Sequence, residues 1–181
     1  MNHFYENIAG WSNNLPELYT QMVAESTDGA HFVEVGCWEG RSAAYMAVEI
    51  VNSGKKIKFD CVDTWLGSPE ADHQNDPYVV EGKLYEHFVD NLKPVEGYYT
   101  AIRLTSLEAA NLYPDASLDF VLIDAAHDYD SVKADIAAWL PKVKPGGVLA
   151  GDDYGWWAPV ANAVNDSLTN IVANGYWFYR N

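Results

Sequence analysis

One short stretch, Phe32 to Ala43 (FVEVGCWEGRSA), restricts the fold of this chain more than any other. Phe32-Val33-Glu34-Val35 is a brief apolar run of the kind that forms a buried strand. A glycine turn, Gly36-Cys37-Trp38-Glu39-Gly40, follows at once. From Ser42 to Val51 good helix formers take over, with Ala44, Val48 and Val51 on one face. Strand, glycine turn and helix make half of a βαβ unit, so the chain belongs to the α/β class with a mostly parallel sheet. Gly36 would let the backbone approach a ligand, and Gly40 allows a tight entry into the helix. The helix N-terminus offers unpaired N–H groups to an anion.

The spacing of the turn is Glu-x-Gly-x-x-x-Gly. A pyrophosphate-binding turn carries its glycines closer, as Gly-x-Gly-x-x-Gly. A carboxylate at Glu34 suits an ammonium group better than a pyrophosphate. A ligand with both an amine and a carboxylate fits, and S-adenosylmethionine has both. The block EVGCWEGRSAAYMA resembles the first motif of class I S-adenosylmethionine-dependent methyltransferases, most closely the catechol O-methyltransferase-like branch, where Gly-x-Ser-Ala opens the first helix. On these residues alone, an ordinary glycine-rich turn remains the alternative. The resemblance implies cofactor contacts from Glu34, Gly36, Gly40 and Ser42. It also implies a Rossmann-like doubly wound sheet with an antiparallel C-terminal strand.

The chain has 181 residues, which suits one methyltransferase domain over 1–181 with a full core. Within it, 1–28 reads as an N-terminal helical segment and 66–94 as a lid loop and helix. Acidic residues outnumber basic ones 26 to 11, a formal charge of −15. Phosphate binding needs clustered Lys and Arg, so the charge argues against nucleic acid as a partner. No apolar run reaches the length of a membrane span, and MNHFYENIAGWSNN lacks the features of a signal peptide, so no membrane partner and a cytoplasmic location are expected. Cys37 and Cys61 read as small buried thiols, in contact if their strands are neighbours.

Leu15 to Ser26 reads as a helix with Asn14 as its N-cap and Leu18, Met22 and Val23 on its apolar face. Before it, Phe4, Tyr5 and Trp11 could pack on the core, cover the site or form a homo-oligomer contact. Lys56 to Val62 alternates Ile57, Phe59 and Cys61 against Lys56, Lys58 and Asp60, a strand with one more exposed face. Asp63 stands at its end. Alone it could simply end a strand; just over twenty residues past the glycine turn, it is placed to accept two ribose hydroxyls. The resemblance lays Thr64 and Trp65 against the adenine. Gly67 to Pro77 is polar and lacks a periodic element, as lids often do. Asp72 and His73 lie there, solvated for preference, with His73 a second choice of base. Tyr78 to Leu92 reads as a helix, Tyr98 to Leu104 as a third strand and Leu107 to Leu112 as a short helix. The resemblance puts Ser106 beside the adenine. Leu118 to Ile123 is almost wholly apolar, as at the centre of a parallel sheet. Asp130 is expected to cap a helix over 131–140, and KVKPGG to turn into a short strand, Val148 to Ala150. Pro159 to Val172 reads as the last helix. Asn174-Gly175 signals a hairpin into Tyr176 to Tyr179, with its partner strand trimmed at the C-terminus.

Ligands of a doubly wound sheet sit beyond the carboxyl ends of the strands. Glu34, Gly36, Asp63, Ser106, Asp124, Asp152 and Asp153 all fall at such ends and should face one crevice. Three carboxylates converging there repel: two charges about 4 Å apart cost roughly 4 kcal/mol at an effective dielectric of 20. Asp124, Asp152 and Asp153 therefore call for a cation, and oxygen ligands favour Mg²⁺ or another hard divalent ion. The alternative is that some of them only cap helices. IDAAHDYD and LPKVKPGGVLAGDDY resemble metal-dependent O-methyltransferases acting on small molecules and sugars, whose metal ligands these aspartates match in position. Here the last pair is Asp-Asp, a departure from the Asp-Asn or Glu-Asp of that branch. The same resemblance makes His127 the base and puts Asp124 in both cofactor and catalytic roles; otherwise His127 only bonds its loop.

The expected activity is thus methyl transfer from S-adenosylmethionine to a hydroxyl of a small sugar, polyketide or phenol, with Mg²⁺. Trp65, Trp156 and Trp157 are candidates for the acceptor wall. A metal-free N- or C-methyltransferase and a non-catalytic cofactor-binding module are the alternatives.

Overall fold

The computed structural model describes residues 1–181 apart from Asn13, Pro69 and the side chain of Asp72. A 3₁₀ turn at Tyr5–Asn7 precedes α1 (Leu15–Glu25). Then come β1 (His31–Val35), α2 (Arg41–Ser53) and β2 (Lys58–Asp63). Two single-turn helices, α3 (Ala71–Gln74) and α4 (Pro77–Val80), lead to α5 (Leu84–Asn91). Next are β3 (Thr100–Arg103), α6 (Ser106–Ala110), β4 (Leu118–Ile123) and α7 (Tyr129–Trp139). The chain closes with β5 (Val143–Gly151), α8 (Ala158–Ser167), β6 (Val172–Asn174) and β7 (Tyr176–Arg180).

The strands form one sheet in the order β3-β2-β1-β4-β5-β7-β6. β1 to β5 pair in parallel, and β7 runs antiparallel between β5 and β6. The order reverses between β1 and β4, and a crevice opens at the carboxyl ends of strands beside such a point. Successive side chains of a strand face opposite ways, so each central strand supplies two cores. Phe32 and Phe120 pack under α1, α2 and α5 with Tyr19, Met46 and Phe88. Val33 and Val121 pack under α6, α7 and α8 with Trp139, Val164 and Trp177. Covered on both faces, β4 is apolar throughout apart from Asp119.

The expected strands and most of the helices are present, with several local corrections. Asn14 precedes α1 but its side chain makes no cap; its amide donates to the Asn174 carbonyl at 2.9 Å, tying α1 to the C-terminal hairpin. Asp60 is buried, not exposed, because His31, Tyr113 and Lys58 all reach its Oδ2. The helix expected over 78–92 is broken at Gly82, which takes a positive φ, into α4 and α5, and the stretch 67–77 contains α3 where no periodic element was expected. Asp128, not Asp130, caps α7 by accepting from the Ser131 amide. The Pro-Gly-Gly of KVKPGG lies inside β5, where the register with β4 shifts. α8 ends at Ser167, short of the expected Val172, and leaves room for β6, whose three residues are all exposed. Phe4 and Tyr5 pack against the core, and α1 packs on the face of the sheet. Cys37 and Cys61 are buried free thiols within hydrogen-bonding reach of each other. Among the described residues no helix is long and apolar enough to cross a membrane.

Candidate active site

A cavity of about 700 Å³ opens at the carboxyl ends of the strands, a size common for small-molecule sites. Gly36, Asp63, Thr64, Ser106, Asp124, Asp152 and Asp153 all line it, as their places at strand ends require.

The turn after β1 is set by contacts within the chain. Gly36 has φ +88°, and a Cβ there would lie 1.9 Å from the Asp124 carbonyl oxygen. Its missing side chain therefore serves close packing of the β1 and β4 ends. Gly40 (φ +93°) does not line the cavity; a Cβ there would meet Leu92 and Phe88. Asp63 Oδ2 accepts from the amides of Cys37 (2.8 Å) and Trp38 (3.0 Å), and Oδ1 accepts from Trp65 (2.7 Å). A carboxylate has about four acceptor positions, so it retains room for one ribose hydroxyl beside these amides, not two. Thr64 Oγ1 likewise accepts from Leu66.

Glu34 is absent from the cavity wall. It shares the α1/α2 face of β1 with Phe32, buried, with Oε1 accepting from Ser42 (2.6 Å) and Oε2 from Tyr19 (2.8 Å). Burial raises its carboxyl to about 7, against the hydrogen bonds of Ser42 and Tyr19. Trp65 is a core residue as well: its ring packs on Tyr85 and Phe88 and its Nε1 donates to the Trp38 carbonyl. Ser106 reaches the cavity, but its hydroxyl is committed, donating to Asp135 (2.5 Å) and accepting from Trp139 (2.9 Å).

The acidic end of the cavity differs from the expected aspartate triad. Among the described residues, the group whose ligand atoms all lie within 4.8 Å of one another is Asp124, His127 and Asp153. Asp152 is buried on the wall, accepts from the Asp153 amide and is not part of that group. Asp153 sits at φ +65°, which swings its carboxylate toward the imidazole. His127 Nε2 lies 2.9 Å from Asp153 Oδ2, Nδ1 lies 3.1 Å from Glu70 Oε1, and the ring stacks on Trp157. Burial alone would lower the histidine, but the Asp153 hydrogen bond and charge, with Asp124 and Glu70, raise it to about 9. The ring is thus an imidazolium donating to two carboxylates, and must lose a proton before it can act as a base. Asp124 is pushed well above the usual carboxylate range, first by burial and then by the charges of Asp152 and Asp153. The positive charge on His127 offsets part of the repulsion that pointed to a cation. The two carboxylates, Asp124 and Asp153, still fit a hard divalent ion.

Three lining residues, Glu70, Trp38 and Arg41, had no signal in the sequence reading. Glu70 comes from the aperiodic lid. Trp38, inside the glycine turn, stacks on His73 with centroids 4.2 Å apart, so His73 is packed rather than solvated; the side chain of Asp72 lies outside the described residues. Arg41, the first residue of α2, donates to the Ile8 carbonyl at 2.8 Å and straps the N-terminal segment across the cavity rim. That segment places Trp11 on the wall. Of the three tryptophans expected to wall the acceptor, Trp156 and Trp157 do line the cavity.

The strand order, the reversed β7 and the cavity at the switch point are those of the class I methyltransferase fold. A family model described as a methyltransferase domain matches residues 33–154, and the chain belongs to that family. The fold is shared with the O-methyltransferase NovP, at 18% identity over 91% of this chain and 78% of that one, with a TM-score of 0.66. It is also shared with cofactor-bound Rv0187 from MTB, at 15% identity over 94% and 80%, TM-score 0.67. A third solved relative is CalS11, a TDP-rhamnose 3'-O-methyltransferase, at 16% identity over 92% and 76%, TM-score 0.59. An uncharacterised protein of Sinorhizobium fredii is 24% identical over 96% of the chain, which spans only 19% of that protein's length.

Proposed function

We propose that the protein transfers the methyl group of S-adenosylmethionine to a hydroxyl of a small acceptor, with a divalent cation, Mg²⁺ in the first instance, at the acidic end of the cavity. The observation that carries this reading is the gathering of Asp124, His127 and Asp153 on the wall that also holds Gly36 and Asp63. The cofactor fits the first half of the cavity: the N-terminus of α2 with Arg41 suits its carboxylate, and the open position on Asp63 suits a ribose hydroxyl. Asp124 and Asp153 would hold the cation, with the His127 imidazole beside them. A bound cation neutralises these carboxylates and lowers the pKa of an acceptor hydroxyl.

The chain's own residues supply the rest. Glu70 accepts from Nδ1–H of His127 and fixes the tautomer that presents Nε2. The neutral ring takes the hydroxyl proton at Nε2. The oxygen forms its bond to the methyl carbon as the carbon–sulfur bond breaks, and S-adenosylhomocysteine leaves. The sulfonium is already activated, so alignment by the cavity walls contributes much of the rate.

The test is methyl transfer from labelled cofactor to a panel of small phenols and sugars, with and without chelator. Turnover that needs Mg²⁺, and a loss of about 100-fold or more in His127→Ala with S-adenosylhomocysteine binding retained, is expected. Turnover insensitive to chelator would replace this reading with a metal-free transferase. Cofactor binding without turnover on any acceptor would leave a binding module.

A further inference from the structure

The acceptor half of the cavity combines two features. The first is aromatic. Trp156 and Trp11 line the cavity while 70% and 63% exposed. Large indole faces left open at a cavity mouth mark a surface that a ligand covers. Trp157 backs His127 on one side, and Trp38 backs His73 on the other.

The second is charge. Glu70, Asp124, Asp152 and Asp153 all line the cavity away from the ribose position, and among the described lining residues Arg41 is the lone lysine or arginine. Its guanidinium already donates to the carbonyls of Ile8 and Glu6 and to Ser12. With Arg41 turned to the N-terminal segment and the cofactor, the bound cation balanced by Asp124 and Asp153, and His127 by Glu70, a phosphate or carboxylate on the acceptor would find no uncommitted positive charge among the described lining residues. Glu70 adds a directional element. Its Oε1 faces His127, while Oε2 is buried without a hydrogen-bond partner. A buried carboxylate oxygen of this kind calls for a donor.

We propose that the site accepts hydroxylated, ring-faced molecules that are uncharged or carry an amine, and excludes phosphorylated and carboxylated ones. The tryptophans stack on the ring, and the Glu70 carboxylate at the cavity wall favours an N–H or O–H of the acceptor. An ammonium gains from the aromatic faces as well as from the carboxylates. This rests on the proposed role of the cavity as an acceptor site.

The test is calorimetry on the full chain saturated with S-adenosylhomocysteine and Mg²⁺, using three probes with the same phenol ring. Tyramine carries an amine, tyrosol an alcohol and 4-hydroxyphenylacetate a carboxylate. Tyramine and tyrosol should bind, with 4-hydroxyphenylacetate at least about tenfold weaker than tyramine, and the gap should narrow as salt screens the charges. Trp156→Ala should weaken tyramine and tyrosol alike. Glu70→Gln should cut the advantage of tyramine over tyrosol. Equal or tighter binding of the carboxylate, failure of all three to bind, or unchanged affinities in Trp156→Ala would each overturn the inference. Because binding is read without turnover, a failure of methyl transfer would remove the proposed function and leave this result standing.

Discussion

Single residues in this fold carry costs that their hydrogen bonds only partly offset, and Glu34 is the clearest. Its carboxyl has the raised value of about 7 because burial outweighs the two hydroxyls that reach it. An acid whose folded value is raised contributes stability below its unfolded value and loses it as pH rises through the folded one. From the shift of 4.5 to about 7, the loss approaches about 3 kcal/mol above neutrality, as an upper bound. Glutamine keeps the shape and removes the titration, and the Ser42 and Tyr19 hydroxyls can each accept from its amide. Glu34→Gln should therefore melt near the wild type at pH 5 and progressively above it toward pH 8. A difference independent of pH would mean that Glu34 is not a buried titrating group. Asp135, raised to about 6 by burial, is present in both proteins and cancels.

At the level of elements, the two turn glycines look alike in sequence and differ in what they touch. Gly36 faces backbone of the β4 end, which cannot yield, while Gly40 faces the ends of the Leu92 and Phe88 side chains, which can. Gly36→Ala should cost about 3 kcal/mol or more in urea unfolding, from overpacking plus the positive φ, and Gly40→Ala about half as much. Equal losses would mean that the positive φ, not the close approach, sets both. The same pair shows what the sequence can reveal. Strand, turn and helix are written locally in periodicity and glycine spacing, so β1, α2 and β4 could be placed from the residues themselves. The convergence of Asp63, Asp124, Asp152 and Asp153 followed from topology. What escaped was side-chain direction and partner choice. Glu34 and Asp60 lie on strands where a one-residue alternation decides between cavity, core and solvent, and the deciding partners, Tyr19 and Tyr113, are remote in sequence. Glu70 reaches His127 from a loop without period, across a separation of 57 residues that no local pattern encodes.

For the whole molecule the governing quantity is charge. A formal charge of −15 on 181 residues works against compactness through self-repulsion. Raising monovalent salt should screen it and lift the melting temperature by a few degrees, about 2–4 °C for each kcal/mol in a chain of this size. A divalent ion held by Asp124 and Asp153 would act differently, by mass action on the folded state. At about 100 times its Kd it would add roughly 2.7 kcal/mol. Magnesium added at matched ionic strength should therefore give a further rise in the wild type. Asp124→Asn and Asp153→Asn should keep the monovalent response and lose the magnesium increment. If that increment survives in both variants, the ion binds elsewhere on the acidic surface and the carboxylates of the cavity do not hold it.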